Sequence, residues 1–501
     1  MRARLRTFFA YTIYTSVLLI GAAQAEPLRL AVDILPPSLG NPYRTSLPPT
    51  VWTNSAMFDA LTRFDDAGNV VPSLALSWEK IDNFTWRFKL RPGVKFHNGA
   101  PFTADAVVTA IKYIVSDEAI REGIRREVGV FKDARAVDDL TVDIITTEPA
   151  PQMARYMTGL MIGEPKAWRE MGRDLFAKQP IGTGPFKMVE MQANVWKLAP
   201  FKEAWRTTRL EGLEVIALPE TSARTSGVLA GRIHIAMSLS PDNLAELEDA
   251  GHEGITTIDP SVFGFSFILF KKSPLQDVRV RRALNMAVNR QRIIDALLGG
   301  ATVPASQPAT RTVLGYDASV PQYKYDPEAA KKLLAEAGFP NGFSFVMEGA
   351  TGVDANDTAI FQQVQSDLRE IGVTMEIRTM PALQYYNALG RTDFSGEAFP
   401  ADWQAWPIND VTRSVLAHSC QRPTPWYCDD AIMPTIVAAR TEFDEIKALQ
   451  YRHKIAQYYH DQAPALFMYE APAFVGVSSK VKNYKLINGT HFAFTEMEVS
   501  K

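Results

Sequence analysis

Cysteine is scarce in this sequence, and neither sign of charge dominates it. Only two of the 501 residues are cysteine, and the formal net charge is −3. No basic stretch is dense enough to indicate a nucleic-acid-binding surface, and the acidic excess is too small to indicate a particular partner. The HExxH, GxSxG, P-loop and dinucleotide-binding motifs are absent as well. We therefore predict no catalytic residue, no metal ion and no cofactor.

Long apolar runs are also absent, except at the N-terminus. Three arginines within residues 1–6 precede an apolar run over 8–20, and Ala23-Gln24-Ala25 follows with a small-x-small pattern. This arrangement predicts a signal peptide over residues 1–25, with Glu26 as the first mature residue. The alternative is a membrane anchor, but the run is shorter than the roughly 20 apolar residues of a span. Because the first cysteine is Cys420, no lipidated N-terminus is expected, and we predict a free protein in the periplasm.

The two cysteines lie close together near the C-terminal end of the chain. Cys420 and Cys428 both lie in the short segment SCQRPTPWYC, residues 419–428. In an oxidising compartment, an even and closely spaced pair predicts a disulfide that closes a small loop. The alternative is a metal site that includes His418, but two thiols and one histidine lack a fourth ligand nearby.

The most informative stretch covers residues 83–115. Phe84, Trp86, Phe88 and Leu90 alternate with polar residues, which predicts a strand with one buried face. Pro92-Gly93 then breaks the strand, a second strand is expected over 94–97, and Asn98-Gly99 turns the chain again. A helix capped by Thr103 is expected to follow. Together these signals predict a compact α+β unit.

This stretch closely resembles a signature of the solute-binding proteins that serve dipeptide- and oligopeptide-type ABC importers, the extracytoplasmic family 5. The similarity extends over Leu90–His97, Asn98-Gly99 and Pro101–Asp105, with Ala106 where the family usually has a second acidic residue. Three further blocks resemble the same family. They are PIGTGPFKMVE at 180–190, DVRVRRAL at 277–284 and YKYDPEAAKKLLAEAGFPNGF at 323–343.

The resemblance implies an α/β fold, namely a two-lobed periplasmic binding protein of type II with two strands connecting the lobes. The first lobe is expected to be discontinuous and to carry an inserted subdomain. The expected boundaries are 26–60, 181–265 and 478–501 for lobe I, 61–180 for the inserted subdomain and 266–477 for lobe II. Alternating strands and helices in the second half agree with an α/β lobe.

Local patterns give three further expectations. The apolar run Phe263–Phe270 predicts a buried strand. Residues 278–300 predict one helix capped by Asp277, whose arginines we expect on a solvated face rather than at an anion. Gly182-Thr183-Gly184 is expected to form a tight turn and not a phosphate-binding loop, because a strand rather than a helix follows it.

The segment Thr392–Asp410 is the candidate ligand-binding element. It is rich in turns, aromatic residues and acids, and peptide binders of the family usually carry at this place a Trp-x-x-Asp-like element that holds a ligand ammonium. Asp402 is the first candidate for the carboxylate that binds the ligand, and Asp410 is the second. Trp403 and Trp406 are expected either to stack on the ligand or to pack in the core. Family position adds weaker candidates, namely Tyr43, Asn54, Thr183 and Phe265.

The expected function is the substrate-binding component of an ABC importer, which captures a small solute between its lobes and delivers it to the membrane permease. The resemblance favours a peptide as the ligand and a monomer as the working form. Relatives also carry opines, oligosaccharides, nickel chelates, glutathione and haem, and an adenosine-like or sugar-like solute also fits the tryptophans. A receptor or chaperone that binds without transport is the alternative from another class, and an enzyme is not expected.

Overall fold

A computed structural model describes residues 26–44, 48–350, 355–487 and 491–500. The predicted signal peptide, residues 1–25, lies outside the described residues. The first part of the chain forms β1 (Leu28–Val32), α1 (Pro48–Met57), β2 (Thr62–Phe64), β3 (Val70–Pro72), β4 (Ala75–Lys80), β5 (Thr85–Leu90), α2 (Ala104–Val115), α3 (Gly123–Glu127), β6 (Phe131–Asp138), β7 (Thr141–Thr146), α4 (Met153–Gly159), α5 (Pro165–Lys178), β8 (Phe186–Met191) and β9 (Val195–Pro200).

The middle of the chain alternates between strands and helices. It forms β10 (Leu213–Ala217), α6 (Thr221–Leu229), β11 (Ile235–Ala236), α7 (Pro241–Asp249), β12 (Glu253–Phe267), α8 (Val278–Ala287), α9 (Arg290–Leu297), α10 (Pro327–Glu336), β13 (Phe343–Ala350), α11 (Asp357–Glu370), β14 (Val373–Met380), α12 (Ala382–Arg391) and β15 (Ala398–Gln404).

The last part begins with short helices and ends with short strands. It forms α13 (Val411–Ser414), α14 (Met433–Thr441), α15 (Glu445–Gln462), β16 (Ala465–Val477), β17 (Val481–Lys482), β18 (Leu486–Ile487), β19 (His491–Phe492) and β20 (Glu498–Val499). Short 3-10 helices occur at Asp117–Arg121, Pro274–Gln276 and Leu416–His418. None of the helices in the described part of the chain has the length and apolar character needed to cross a membrane.

One ten-stranded sheet runs through both lobes in the order β14-β13-β15-β12-β16-β11-β1-β10-β9-β8. The long strands β12 and β16 belong to both halves of this sheet. Residues 253–258 of β12 pair with 472–477 of β16, whereas 262–266 pair with 465–470, and the register shifts between the two blocks. The pairing of β12 with β16 is therefore interrupted at residues 259–261 of β12.

The residues after β3 build a separate small sheet with the order β4-β5-β7-β6, and α2 packs on it. Phe88 and Leu90 of β5 are buried as the alternation predicts. Phe84 is not, because the strand begins at Thr85 and Phe84 lies exposed in the preceding turn. The expected strand over 94–97 is also wrong, since only Lys95 pairs, with Pro101, across the tight turn.

The predicted single helix over 278–300 is two helices. Val288 is extended, with φ −99° and ψ 124°, and the Asn289 side chain accepts a hydrogen bond from the Arg292 amide to cap α9. The expectation of a solvated arginine face also fails for Arg290 and Arg281, which are buried. Their guanidinium groups donate to main-chain carbonyls of the strand and loop beside the helices, including that of Phe467 at 2.5 Å from Arg290. Buried arginines are stable here because carbonyl oxygens replace water as acceptors.

The apolar run Phe263–Phe270 is only partly a strand. β12 begins ten residues earlier, at Glu253, and ends at Phe267. The pattern missed the first half because residues 253–259 mix polar and apolar side chains on a partly exposed edge of the sheet. The strand is therefore long enough to serve both lobes.

Candidate functional site

The interruption of pairing at residues 259–261 of β12 is the centre of the candidate site. On one side of it lies β15, which pairs antiparallel with β12 and brings Asp402 opposite Phe263. The pairing ends where the Ala405 amide donates to the Pro260 carbonyl at 2.8 Å. On the other side lies β16, which brings Glu470 opposite Val262. Because neighbouring residues of β12 point to opposite faces, Asp402 and Glu470 lie on opposite faces of the sheet.

Asp402 has an unusual environment at this point. Its side chain is open to solvent, yet the surrounding protein desolvates the carboxylate, as is expected on the floor of a groove. This desolvation, together with the nearby negative charge of Asp259, raises the pKa of Asp402 to about 7, and the Ser261 side chain offsets only part of the effect. No lysine, arginine or histidine in the described ranges forms an ion pair with Asp402.

The chemistry of this arrangement favours a cation. A desolvated carboxylate with no counter-charge is unfavourable when ionised, and a second carboxylate nearby makes it more so. A ligand that brings an ammonium or guanidinium group removes both penalties and gains charge-assisted hydrogen bonds. The surroundings of Asp402 are therefore of a kind that a positively charged group would stabilise.

Trp406 is the first residue of a loop, residues 406–410, that contacts α4. The Trp406-Pro407 peptide bond is cis, and Trp406 is buried in the core cluster of lobe I. The Thr158 hydroxyl of α4 donates to the Pro407 carbonyl at 3.1 Å, and Arg155 donates to the Ile408 carbonyl at 3.3 Å. Trp406 therefore packs in the core, which is the second of the two roles considered for it.

Two ion pairs bridge the same interface. The Arg413 guanidinium grips Glu127 of α3 with two hydrogen bonds, the one from Nη2 to Oε1 measuring 2.7 Å, and both side chains are largely buried, with 14% and 7% of their surface exposed. Arg440 of α14 pairs with Glu148 at 3.0 Å. Each pair joins residues that are far apart in sequence, one in the region 127–148 and one in the region 413–440.

Asp410, the second candidate, already has its partners. One carboxylate oxygen accepts from Nε and Nη2 of Arg452 at 2.9 and 2.8 Å, and the other accepts from the amide and hydroxyl of Thr412. Both members of the ion pair are about 1% exposed. These contacts make Asp410 a helix cap and half of a buried ion pair, which leaves no oxygen for a ligand. The expectation for Asp410 is therefore not supported.

Trp403 packs in the core of lobe II, which is the second of the two roles considered for it. Its ring stacks on His418 with centroids 3.5 Å apart, and its indole NH donates to Ser266 at 3.2 Å. Neighbouring residues of a strand point to opposite faces, so the solvent-open position of Asp402 requires Trp403 to point inward. The same alternation could have separated the two roles from the sequence.

The candidates placed by family position pack against neighbouring residues of their own lobes. Tyr43 packs against Tyr113 and Trp168, with ring centroids 5.5 and 4.9 Å apart. The Thr183 hydroxyl donates to Asp59, and Phe265 packs on Phe361 in the core of lobe II. These contacts give the three residues structural roles. Asn54 is also buried, in α1, but its side-chain oxygen has no hydrogen-bond partner among the described residues.

Cys420 and Cys428 are joined by a disulfide bond, with an S–S distance of 2.12 Å and a Cα–Cα distance of 4.5 Å. Asp430 lies beside the two sulfur atoms and completes a group of three possible ligands. The sulfurs are consumed by their bond, and Nδ1 of His418 accepts from the Trp426 indole at 2.6 Å. The two cysteines are thus bonded to each other, and His418 is hydrogen-bonded to Trp426.

Sequence reasoning missed Asp259 and the bridging pairs. Asp259 lies in the polar half of β12, which carried no strand signal, and the partners Arg413 and Glu127 are 286 positions apart. Only the turn-rich composition of 392–410 indicated this region, and it made Asp402 a candidate.

The family model described as bacterial extracellular solute-binding proteins, family 5 middle, matches residues 69–423, more than half of the chain. The chain is 28% identical over 464 residues to the dipeptide-binding protein of Escherichia coli K12, covering 83% of each chain. It is 24% identical over 467 residues to the glutathione-binding protein GsiB of Pectobacterium atrosepticum, covering 89% of each. Among solved structures, DppA of Helicobacter pylori in complex with the peptide STSA has a TM-score of 0.82 at 23% identity, covering 95% of this chain and 98% of that one.

Proposed function

Because the chain belongs to the bacterial extracellular solute-binding proteins of family 5, we propose that it is the periplasmic substrate-binding component of an ABC importer for small peptides. It captures the peptide in the groove between its lobes and delivers it unchanged to the membrane permease. In this proposal residues 1–25 are cleaved during export, and the mature protein acts as a monomer without a lipid anchor and without catalysis.

The environment of the Asp402 carboxylate is the observation that supports the proposal most strongly. The residue is exposed, the surrounding protein desolvates its carboxylate and, with Asp259, raises its pKa, and no cation of the described residues pairs with it. A free peptide always brings an ammonium group at its N-terminus, and this group matches such a carboxylate. The dipeptide-binding relative adds support, since its name assigns it a ligand with this group.

Closure of the lobes supplies the signal to the permease in this proposal. Contacts that a ligand makes with both lobes exist only in the closed state, so binding shifts the equilibrium by their free energy. The pairs Arg413–Glu127 and Arg440–Glu148 add to the same state without touching the ligand. A permease that recognises surfaces of both lobes then distinguishes the loaded protein from the empty one.

Glutathione is the second candidate ligand. It also carries a free ammonium group, and one of the relatives is a glutathione-binding protein. A ligand panel that includes glutathione beside dipeptides and tripeptides separates the two, because the stronger binder saturates the protein at lower concentration.

The proposal is tested by isothermal titration calorimetry with this panel. We expect one dipeptide or tripeptide to bind with 1:1 stoichiometry and the N-acetylated form of the same peptide to lose at least about tenfold in affinity, since an uncompensated charge contact is worth about 1.5–3 kcal/mol. Asp402→Asn should reduce binding of the free peptide by a similar factor. Asp393→Asn, the same substitution at an exposed residue before β15, should leave it unchanged.

Two results would contradict the proposal. One is the absence of binding by every peptide and by glutathione. The other is binding that is indifferent to N-acetylation and to Asp402→Asn, which would place the ligand elsewhere. Recovery of the bound peptide after denaturation checks that no bond has been cleaved. Growth on the peptide in a strain that lacks the permease distinguishes a receptor without transport from a component of the importer.

A further inference from the structure

A cavity lies beside Glu470, next to the part of β16 that pairs with the second half of β12. Its volume is about 240 Å³, and its walls include residues 303–307, Arg311 and Glu470. One wall runs along the edge of β16 that is not bonded to β12, where the Ala305 amide donates to the Met468 carbonyl at 3.1 Å. Backbone hydrogen bonds therefore hold this wall in place.

The cavity and Asp402 lie on opposite faces of the ten-stranded sheet. Glu470 pairs with Val262 of β12, whereas Asp402 pairs with the next residue, Phe263. Neighbouring residues of a strand point to opposite faces. Because β12 is bonded to β15 on one side and to β16 on the other, the sheet is continuous between the two positions. A molecule in the cavity is therefore separate from a ligand at Asp402.

Two side chains in the wall offer hydrogen-bond donors. The Ser306 side chain is fully buried, and its hydroxyl has no hydrogen-bond partner in the described part of the chain. Arg311 donates to Glu470 through its main-chain amide and Nε, at 3.1 to 3.3 Å, and neither of its terminal nitrogens bonds to a described residue. The Arg311 side chain is 54% exposed, whereas that of Glu470 is 5% exposed. The guanidinium is thus held along one edge and open at the other.

The open edge of the Arg311 guanidinium suits an anion with two oxygen atoms. A carboxylate accepts two parallel hydrogen bonds from such a pair of terminal nitrogens. Val303, Pro304 and Ala309 make part of the wall apolar, which suits a short alkyl chain behind the carboxylate. The cavity volume corresponds to about eight water molecules at about 30 Å³ each. Glu470 already contributes one negative charge, so a dianion is less suitable than a monoanion.

We propose that this cavity binds a small aliphatic monocarboxylate, at a site independent of the groove that contains Asp402. The terminal nitrogens of Arg311 donate to the two carboxylate oxygens, and the Ser306 hydroxyl donates to one of them. Glu470 orients the guanidinium, but its negative charge also opposes the incoming anion, so we expect binding in the millimolar range. The inference goes beyond the proposed function and does not depend on the solute that occupies the groove.

The test titrates propionate into the peptide-free protein at constant ionic strength, observed by NMR of the ligand, with propionamide as the neutral analogue. The unaltered protein should bind propionate at least about tenfold more tightly than propionamide. Arg311→Gln should abolish this preference, and Ser306→Ala should weaken propionate binding by about threefold. Arg378→Gln is the matched control, because this exposed arginine also pairs with a glutamate, and it should bind propionate unchanged.

Glu470→Gln gives a result that a purely structural role of this residue does not predict. The substitution removes the negative charge that opposes the anion, while the new side-chain oxygen still accepts from the Arg311 amide. Propionate should therefore bind several-fold more tightly. A protein that is merely loosened by loss of the ion pair would instead bind propionate more weakly. Circular dichroism verifies the folding of each variant before titration.

The inference is overturned if the unaltered protein does not bind propionate, or if it binds propionate and propionamide equally. It is also overturned if a peptide that saturates the groove competes with propionate, because the two sites would then not be separate. Should Arg311→Gln fail to fold, Ser306→Ala and Glu470→Gln decide the question, and unchanged propionate affinity in both overturns the inference. Failure of every peptide and of glutathione to bind, by contrast, contradicts the proposed function alone.

Discussion

The ion pair between Arg413 and Glu127 should hold the lobes together, and its loss should weaken ligand binding from a distance. Arg413 lies on lobe II and Glu127 on α3 of the inserted subdomain, and the guanidinium makes two hydrogen bonds to the carboxylate. Hydrogen bonds to charged groups contribute about 1.5–3 kcal/mol, whereas exposed pairs contribute about 0–1 kcal/mol. With 14% and 7% exposure, this pair belongs nearer the first class, and we expect about 1.5–2 kcal/mol.

Arg413→Ala should therefore lower the ratio of closed to open protein by a factor of about 10–30. When the empty protein is mostly open, the apparent affinity for the ligand falls by the same factor, although Arg413 touches no ligand. Calorimetry gives the affinity, and the distance between fluorophores on the two lobes gives the population of the closed state. Arg378→Ala is the control, because its pair with Glu376 is exposed and lies within lobe II.

A double-mutant cycle with Glu127→Ala isolates the contribution of the pair from that of each residue. The double variant should bind the ligand no more weakly than Arg413→Ala does. The reasoning is refuted if Arg413→Ala binds the ligand as tightly as the unaltered protein and closes to the same extent. It is also refuted if the two single substitutions add, since independent effects would mean that the pair is not the unit that holds the lobes.

Three further outcomes follow from the structure. Arg452→Met leaves Asp410 buried without its partner, and loss of one member of a buried pair costs about 3–5 kcal/mol. Calorimetry should therefore show a melting temperature lower by several degrees. The double variant Arg452→Met with Asp410→Asn should recover part of this loss. Reduction of the Cys420–Cys428 bond releases a short loop and should cost about 2–3 kcal/mol, measured as a lower denaturation midpoint in the presence of a reductant and no change in a protein with both cysteines replaced by serine. Burial raises the pKa of Asp402 to about 7, so the empty folded protein holds a proton there that the unfolded chain releases near pH 4. Stability should consequently fall as pH rises from about 4 to 7 and Asp402→Asn should lessen this slope, while affinity for a cationic ligand should rise over the same range.

The sequence predicted the local elements best where one turn or cap defines them. Asp277 and Asp326 cap their helices as expected, each accepting a hydrogen bond from a main-chain amide of the first turn. The break at Val288 was missed because residues 278–300 are apolar with a helical period on both sides of it. The buried Arg290 was misjudged for a related reason, since burial of a guanidinium depends on carbonyl groups of Phe467 and Asn285 that only the tertiary fold supplies.

At the site, the sequence singled out Asp402 through composition and resemblance, but not the groups around it. Asp259 comes from a half-strand that lacks a clear alternation, and only the tertiary fold brings its charge close to Asp402. Asp410 drew attention because it is acidic and lies beside aromatic residues, yet its partner Arg452 is 42 positions away. Long-range pairing of charges therefore decides which carboxylate remains available, and no local pattern reports it.

Native mass spectrometry of the protein purified without denaturation tests the central claim most directly. The account predicts a 1:1 adduct whose mass, after release, is that of a small solute with a free ammonium group, and it predicts that Asp402→Asn purifies largely without it while Asp393→Asn retains it. Equal recovery of the same adduct from Asp402→Asn, or a released solute without any cationic group, would contradict the account.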